Sequence, residues 1–268
     1  MLWNLCFIVS SCGSYALLSA GTPALTSRPS ITVIGDTTSP STDLTVSTWD
    51  SEEIEFVLNL YANDETPLRT FPPCLFVEMI RINILRARAA TCRGGAMADL
   101  TSEACEIINR VQTFAVLEWA DSKASAKDDW ALLGHLHQAA VALYCISSLQ
   151  ALSVLSSSLS LNLQRRMLAE YLQTLLERAV AVPKTKLFAL WPLVVLGFEA
   201  LHHGGLATRD FVRASLGDVG YYVGSYAPSA ALCVLERFWI SGEATWDSCF
   251  DQPYLFVAQT AVDVSGIS

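Results

Sequence analysis

The chain has 268 residues, of which 52% are hydrophobic and only 16% charged. This composition excludes a disordered chain and calls for extensive burial, in one domain or two closely packed ones. The net charge of −9 makes these residues poor DNA binders by themselves, because non-specific binding is mainly phosphate neutralisation by Lys and Arg.

Residues 1–27 carry no charged side chain, and apolar runs at 2–9 and 15–20 flank a Ser/Cys/Gly patch. One reading is a secretory signal cleaved between Ala20 and Ala24; the other is a helix remnant of a longer domain. The missing basic start and the interrupted apolar run favour the remnant. Residues 26–48 are rich in Ser, Thr, Pro and Gly and read as a linker or surface loop. The predicted organisation is a poorly ordered or remnant segment at 1–48, a helical body at 49–258 and a short tail at 259–268.

Asp50 with Glu53 has the spacing of a capping pair, and Ile54, Val57, Leu58 and Tyr61 form one helical stripe. Pro67 and Pro72–Pro73 break the chain. A helix is predicted over 74–89 with Phe76, Ile80, Ile84 and Ala87 inward. Arg81, Arg86, Arg88 and Arg93 make this the most basic stretch, and a solvated face is preferred over a phosphate or acidic partner. Gly94–Gly95 end the unit. Thr101 or Ser102 caps the next helix, whose buried side is Ile107, Ile108, Val111, Phe114 and Ala115. Residues 123–129 form a charged turn.

No Asp, Glu, Lys or Arg occurs from Trp130 to Gln164, which is longer than the roughly 20 residues that a membrane span needs. His135, His137, Gln138, Gln150 and many serines interrupt it, so a core helix is preferred, with a turn at 156–160. The helix over 161–180 places Gln164, Leu168, Leu172 and Leu175 in series, with Arg165, Arg166, Glu170, Glu177 and Arg178 on a wet face, and Pro183 ends it. Leu187, Leu190, Val194, Phe198 and Leu201 recur at helical spacing, and Leu193, Val195 and Leu196 make that segment apolar all round. It reads as a buried helix that starts or kinks at Pro192 and ends at His202, His203, Gly204 and Gly205. A helix then starts at Thr208, and another runs from Pro228 through Leu235 and Trp239 to Gly242. The mix of aromatics, Asp and Pro from Trp246 to Tyr254 predicts an ordered loop packed back on the body. The fold class is all-α: an irregular multi-helix bundle or helical-pair array of about seven to eight helices.

Phosphate-binding glycine loops, a GxSxG elbow and HExxH are absent. The eight cysteines have no CxxC spacing, so buried free thiols are preferred over a zinc site. Glu199 and His202 have the spacing of one di-iron pair, but such sites need two, and a helix-end histidine is preferred. His135 and His137 point to different faces of one helix, one exposed and one packed. Cys145 or Cys249 as a nucleophile lacks local support. Trp191, Trp239 and Trp246 read as core aromatics. No catalytic, cofactor-binding or metal-binding residue is predicted, and no cofactor.

Four blocks carry a resemblance: FPPCLFVEMIRINILR (residues 71–86), AAVALYCISSLQ (139–150), LFALWPLVVLGFEA (187–200) and LERFWISGEATWDSCFDQPYLF (235–256). Together they resemble the fungal-specific transcription factor domain, over roughly residues 50–256. The last block is the most specific, through Trp239, Gly242, Trp246, Asp247, Cys249, Phe250, Asp251, Pro253 and Tyr254; Trp191, Pro192 and Gly197 belong to the block before it. The resemblance implies an all-helical regulatory region, a non-enzyme, that sits C-terminal to a zinc binuclear cluster and works in the nucleus. Family members carry six clustered cysteines in a basic segment. These residues hold none, so the expectation is the regulatory part alone, from a truncated gene model, a shorter isoform or a diverged regulator. Implied partners are transcriptional co-regulators, a second copy or a small-molecule effector; direct DNA binding is not carried over, and no basic nuclear-import run is present. A membrane-associated or secreted helical protein, or an enzyme on a helical fold, is the alternative.

Overall fold

Proline and glycine punctuate a helix-forming chain, and the elements follow that punctuation. The computed structural model describes residues 31–62, 71–92 and 97–256; the readings placed on residues 1–30, Pro67, Arg93, Gly94–Gly95 and 257–268 lie outside them. Along the described residues run α1 (residues 31–37), a 3-10 turn (Thr45–Thr48), α2 (Ser51–Ala62), α3 (Pro73–Thr91), α4 (Met97–Gln112), α5 (Val116–Asp121) and α6 (Lys127–Ala151). Then follow α7 (Leu159–Ala181), α8 (Pro183–Lys186), α9 (Leu190–Glu199), α10 (Gly205–Val223), α11 (Ala227–Ser241) and α12 (Trp246–Cys249). Among the described residues there is no strand, and nine of the helices have seven residues or more. The fold is all-α.

Proline opens α3, α8 and α11, where its missing N–H costs nothing. Gly242 closes α11 in the left-handed region at φ 80°, the conformation that glycine adopts without a Cβ penalty. Asp50 and Glu53 form the reciprocal cap expected of them: each backbone N–H donates to the other's carboxylate, at 3.0 and 2.8 Å.

Two apolar helices make the centre. Every residue of α9 is buried, as its all-round apolar sequence requires. By length and composition α6 could cross a membrane, but 89% of its apolar window is buried inside the protein. It touches α3, α4, α5, α7, α9 and α12, while α9 touches α6, α7, α10 and α11. Their neighbours come from all parts of the chain, so the architecture is an irregular bundle around a buried pair. Gly197 lets α11 approach closely: a Cβ there would overlap the Leu235 side chain. Trp239 Nε1 donates to the Gly197 carbonyl at 2.8 Å beside that crossing.

Several boundaries differ from the sequence reading, for local reasons. Residues 31–48 are no linker. Val33, Thr37, Thr38, Ser39, Leu44 and Val46 are buried, and their hydroxyls cap local turns: Thr37 Oγ1 donates to Ile34 O and Ser39 Oγ to Gly35 O. Thr101 caps nothing; it lies inside α4 and donates to Met97 O and Val154 O. Helix α4 ends at Gln112, which leaves Phe114 half-buried and Ala115 exposed. Helix α9 does not stop and restart at Thr208. It passes through a π turn, Ala200–Gly204, into α10 at Gly205, whose φ of 60° makes the bend. Thr208 is instead buried and donates to Gln173 Oε1. Of the described cysteines only Cys145 and Cys249 are buried, Cys92 is intermediate, and Cys74, Cys105 and Cys233 are exposed.

His137 is the packed histidine of its pair, and His135 is half-buried. The His137 ring lies 4.2 Å from that of Phe71, and its Nδ1 is 2.8 Å from Leu133 O. Burial holds its pKa down at about 4, against an ordinary 6.5, with the Leu133 carbonyl opposing. The unfolded chain therefore takes up this proton first. Stability is full above pH 6.5 and is lost as pH falls toward 4. At about 1.4 kcal/mol per pH unit, this one group removes about 3 kcal/mol across that window. Urea unfolding at pH 7 and pH 4 should show His137→Gln losing about that much less than the parent; an unchanged difference would exclude His137 as the source.

Candidate functional site

Helix α3 presents Leu75, Met79, Ile82, Arg86 and Ala89 along one buried stripe, so Arg86 enters the core in register with apolar neighbours. It is not on a solvated face: its exposure is 0%. Nη1 donates to Asp36 O at 2.9 Å and to the Tyr144 hydroxyl at 2.8 Å. Nη2 donates to Ser39 O at 2.7 Å and to Asp247 Oδ1 at 3.0 Å. Nε is buried without a partner. The neighbouring arginines are also answered by carboxylates of the same chain. Arg81 and Arg110 pair with Glu78, and Arg88 pairs with Glu103 at 2.6 Å. Ile84 and Ala87, read as inward, are only half-buried, because the buried stripe is rotated toward Arg86.

The network spreads from Arg86 in both directions. Tyr144 on α6 donates to Asn83 Oδ1, and Asn83 Nδ2 donates to Val33 O at 2.9 Å. Asp36 accepts from the N–H groups of Thr45 and Val46, both at 2.9 Å, and so fixes the 3-10 turn. Burial raises the Asp36 pKa while those N–H groups oppose it. Burial likewise pushes the Tyr144 phenol well up. Asp247 Oδ2 accepts from both the N–H and the hydroxyl of Ser41.

Part of the C-terminal signature converges on the same place. Trp246 is fully buried, its ring 5.2 Å from Tyr144, 4.8 Å from Phe198 and 4.9 Å from Phe250. Its Nε1 donates to Thr37 O at 2.9 Å. Trp191 Nε1 donates to Thr37 Oγ1 at 2.8 Å, and Pro192 is buried next to it in α9. Tyr254 exchanges bonds with Thr38, its N–H donating to Thr38 O at 3.0 Å and its carbonyl accepting from Thr38 Oγ1 at 2.6 Å. Trp239, Gly197 and Gly242 stand apart, at the α9–α11 crossing and the end of α11. Cys249 and Phe250 are buried, the Phe250 ring packing on Trp246. Asp251 lies at the surface, where Arg237 and the Tyr254 hydroxyl donate to it, and Pro253 is exposed.

A second arginine read as wet is buried too. Arg165 of α7 donates through Nε to both oxygens of Glu199 on α9, at 3.0 and 2.8 Å. Glu199 also accepts from Ser147 Oγ at 2.5 Å, and burial raises its pKa against the pull of Arg165. Glu199 is thus engaged by an ion pair. Among the described residues no three His, Cys, Asp or Glu side chains group as metal ligands. Burial pushes the Cys145 and Cys249 thiols well above their ordinary pKa, so neither is a ready thiolate at neutral pH.

Arg86→Met should cost about 3–5 kcal/mol, since it strands Asp247 and two buried carbonyls. Trp246→Ala, which also empties core volume, should cost about 3–5 kcal/mol. Both are read by urea unfolding, and limited proteolysis should move into residues 31–48. A loss below about 1 kcal/mol for Arg86→Met would mean that the network does not hold the bundle's ends together.

The chain is 40% identical over 239 residues to the phomenoic acid biosynthesis cluster-specific transcriptional regulator of Leptosphaeria maculans. The alignment takes in 89% of this chain and 46% of the relative, so the chain spans less than half of that protein's length. No family model matches the chain. No solved structure matches it either. The similarity places the chain beside a fungal transcriptional regulator.

Proposed function

We propose that this chain is the helical regulatory region of a fungal transcriptional regulator, working in the nucleus and governing a biosynthetic gene cluster. The observation that carries the reading is the 40% identity to a cluster-specific regulator across 89% of the chain. The signature residues Trp191, Trp246, Asp247 and Tyr254 support it by meeting in one hydrogen-bonded junction. The region carries out no chemistry and reads no DNA itself, its net charge being −9. It acts by contact with co-regulators, a second copy of itself or an effector, through a body that a ligand can bias between states. Leu159, Leu163, Met167 and Tyr171, exposed and four residues apart on α7, form an apolar stripe of the kind that protein contacts use.

The test fuses the full chain to an unrelated DNA-binding module in a fungal cell that carries the matching reporter. Reporter output should change about tenfold or more relative to the module alone, and Trp246→Ala, by loosening the junction, should return it toward baseline. A stable, nuclear fusion that leaves the reporter unchanged overturns the reading.

A further inference from the structure

The ion pair that joins α7 to α9 also borders an open cleft. The cleft has a volume of about 370 Å³ and is lined by Gln150, Asn162, Arg165, Phe198, Ala244 and Thr245, among others. That volume is in the range of small-molecule pockets, roughly 300–1,000 Å³. Arg165 is only 8% exposed, and its donors are unevenly used. Nε is spent on Glu199, and Nη1 reaches Gln150 Oε1 at 3.2 Å. Nη2 is buried and makes no hydrogen bond. A buried guanidinium donor without an acceptor is costly, so a site that leaves one open is poised to gain from a ligand oxygen.

The charge of that ligand follows from Glu199. This carboxylate lies against Arg165 and accepts three hydrogen bonds, two from Nε and one from Ser147, which together answer the guanidinium charge. A second carboxylate would set two anions on one cation in a partly desolvated place. A neutral acceptor takes the open donor without that penalty. Phe198 supplies an apolar wall beside it, with Arg165 Cζ 5.6 Å from the ring centroid.

We propose that this cleft binds a small neutral molecule with a carbonyl oxygen, such as an amide, ketone or lactone, which accepts from Arg165 while its apolar part lies against Phe198, Ala151 and Ala244. The inference deepens the regulatory reading by giving it an effector class. Binding is measured on the purified chain without any reporter, so the two can fail separately.

The probes are benzamide and benzoate, which share a shape and differ in charge. Each is titrated into the full chain and followed by backbone amide shifts in NMR. Benzamide should shift Gln150, Ala244 and Thr245 saturably, with benzoate at least about tenfold weaker. Ala244→Trp, at an exposed position on the cleft wall, should weaken benzamide at least about tenfold while leaving the circular dichroism unchanged. Three results overturn the proposal: no saturable benzamide binding in the millimolar range, benzoate binding as tightly as benzamide, or an unaltered affinity in Ala244→Trp.

Discussion

A guanidinium with no access to water must find its acceptors in the protein, and Arg86 finds four. Two are main-chain carbonyls, of Asp36 in the last turn of α1 and of Ser39 just after it, one is a phenol on α6 and one is a carboxylate on α12. No sliding of any of these elements by one residue would keep the set, because each acceptor is a single atom at a fixed place. The network therefore specifies an arrangement more than it adds stability, as buried ion pairs commonly repay little beyond their own desolvation. The aromatic packing of Trp246 against Tyr144 and Phe198 supplies the burial energy. Arg86 decides which way that packing is assembled.

The helices were legible where composition and punctuation agreed. The all-round apolar run of α9, the Asp50–Glu53 pair, and Pro228 and Gly242 at the two ends of α11 each carry a local signal that survives folding. The two buried arginines carried a weaker signal that a charge-based reading discards. Arg86 falls in phase with Leu75, Met79 and Ile82, and Arg165 with Ala169, Leu172 and Leu176. Position within the stripe was the clue, but side-chain charge pointed to water, and only the tertiary partners decide between them. Glu199 offered the same clue as a lone acid in an apolar run. Segment 31–48 failed differently: Ser and Thr suit linkers, yet here their hydroxyls satisfy a folded backbone, and composition cannot separate those uses.

The two arginines divide the molecule's labour. Arg86 sits in a closed place and all but one of its nitrogens is engaged. Arg165 sits beside an opening, with a carboxylate to balance its charge and one nitrogen unspent. The first is part of a frame that holds its shape; the second is where the proposed ligand would meet that frame. Glu199 lies on the same buried helix as Trp191, which is bonded to Thr37, so one rigid element borders both places.

The bonds between Thr37 and Trp246 and between Thr38 and Tyr254 join residues 209 and 216 apart in the sequence. Closing so long a loop is entropically slow, and local helix pairs form well before it. During synthesis the α1 segment leaves the ribosome ahead of the other described helices, yet its binding site stays incomplete until α12 has emerged. Until then Arg86 has no carboxylate and Trp246 no socket. The newborn chain thus passes through a long interval in which its helices are made but α1 and α12 are unjoined. Incompletely packed helices expose apolar surface, which is where chaperones bind and proteases cut.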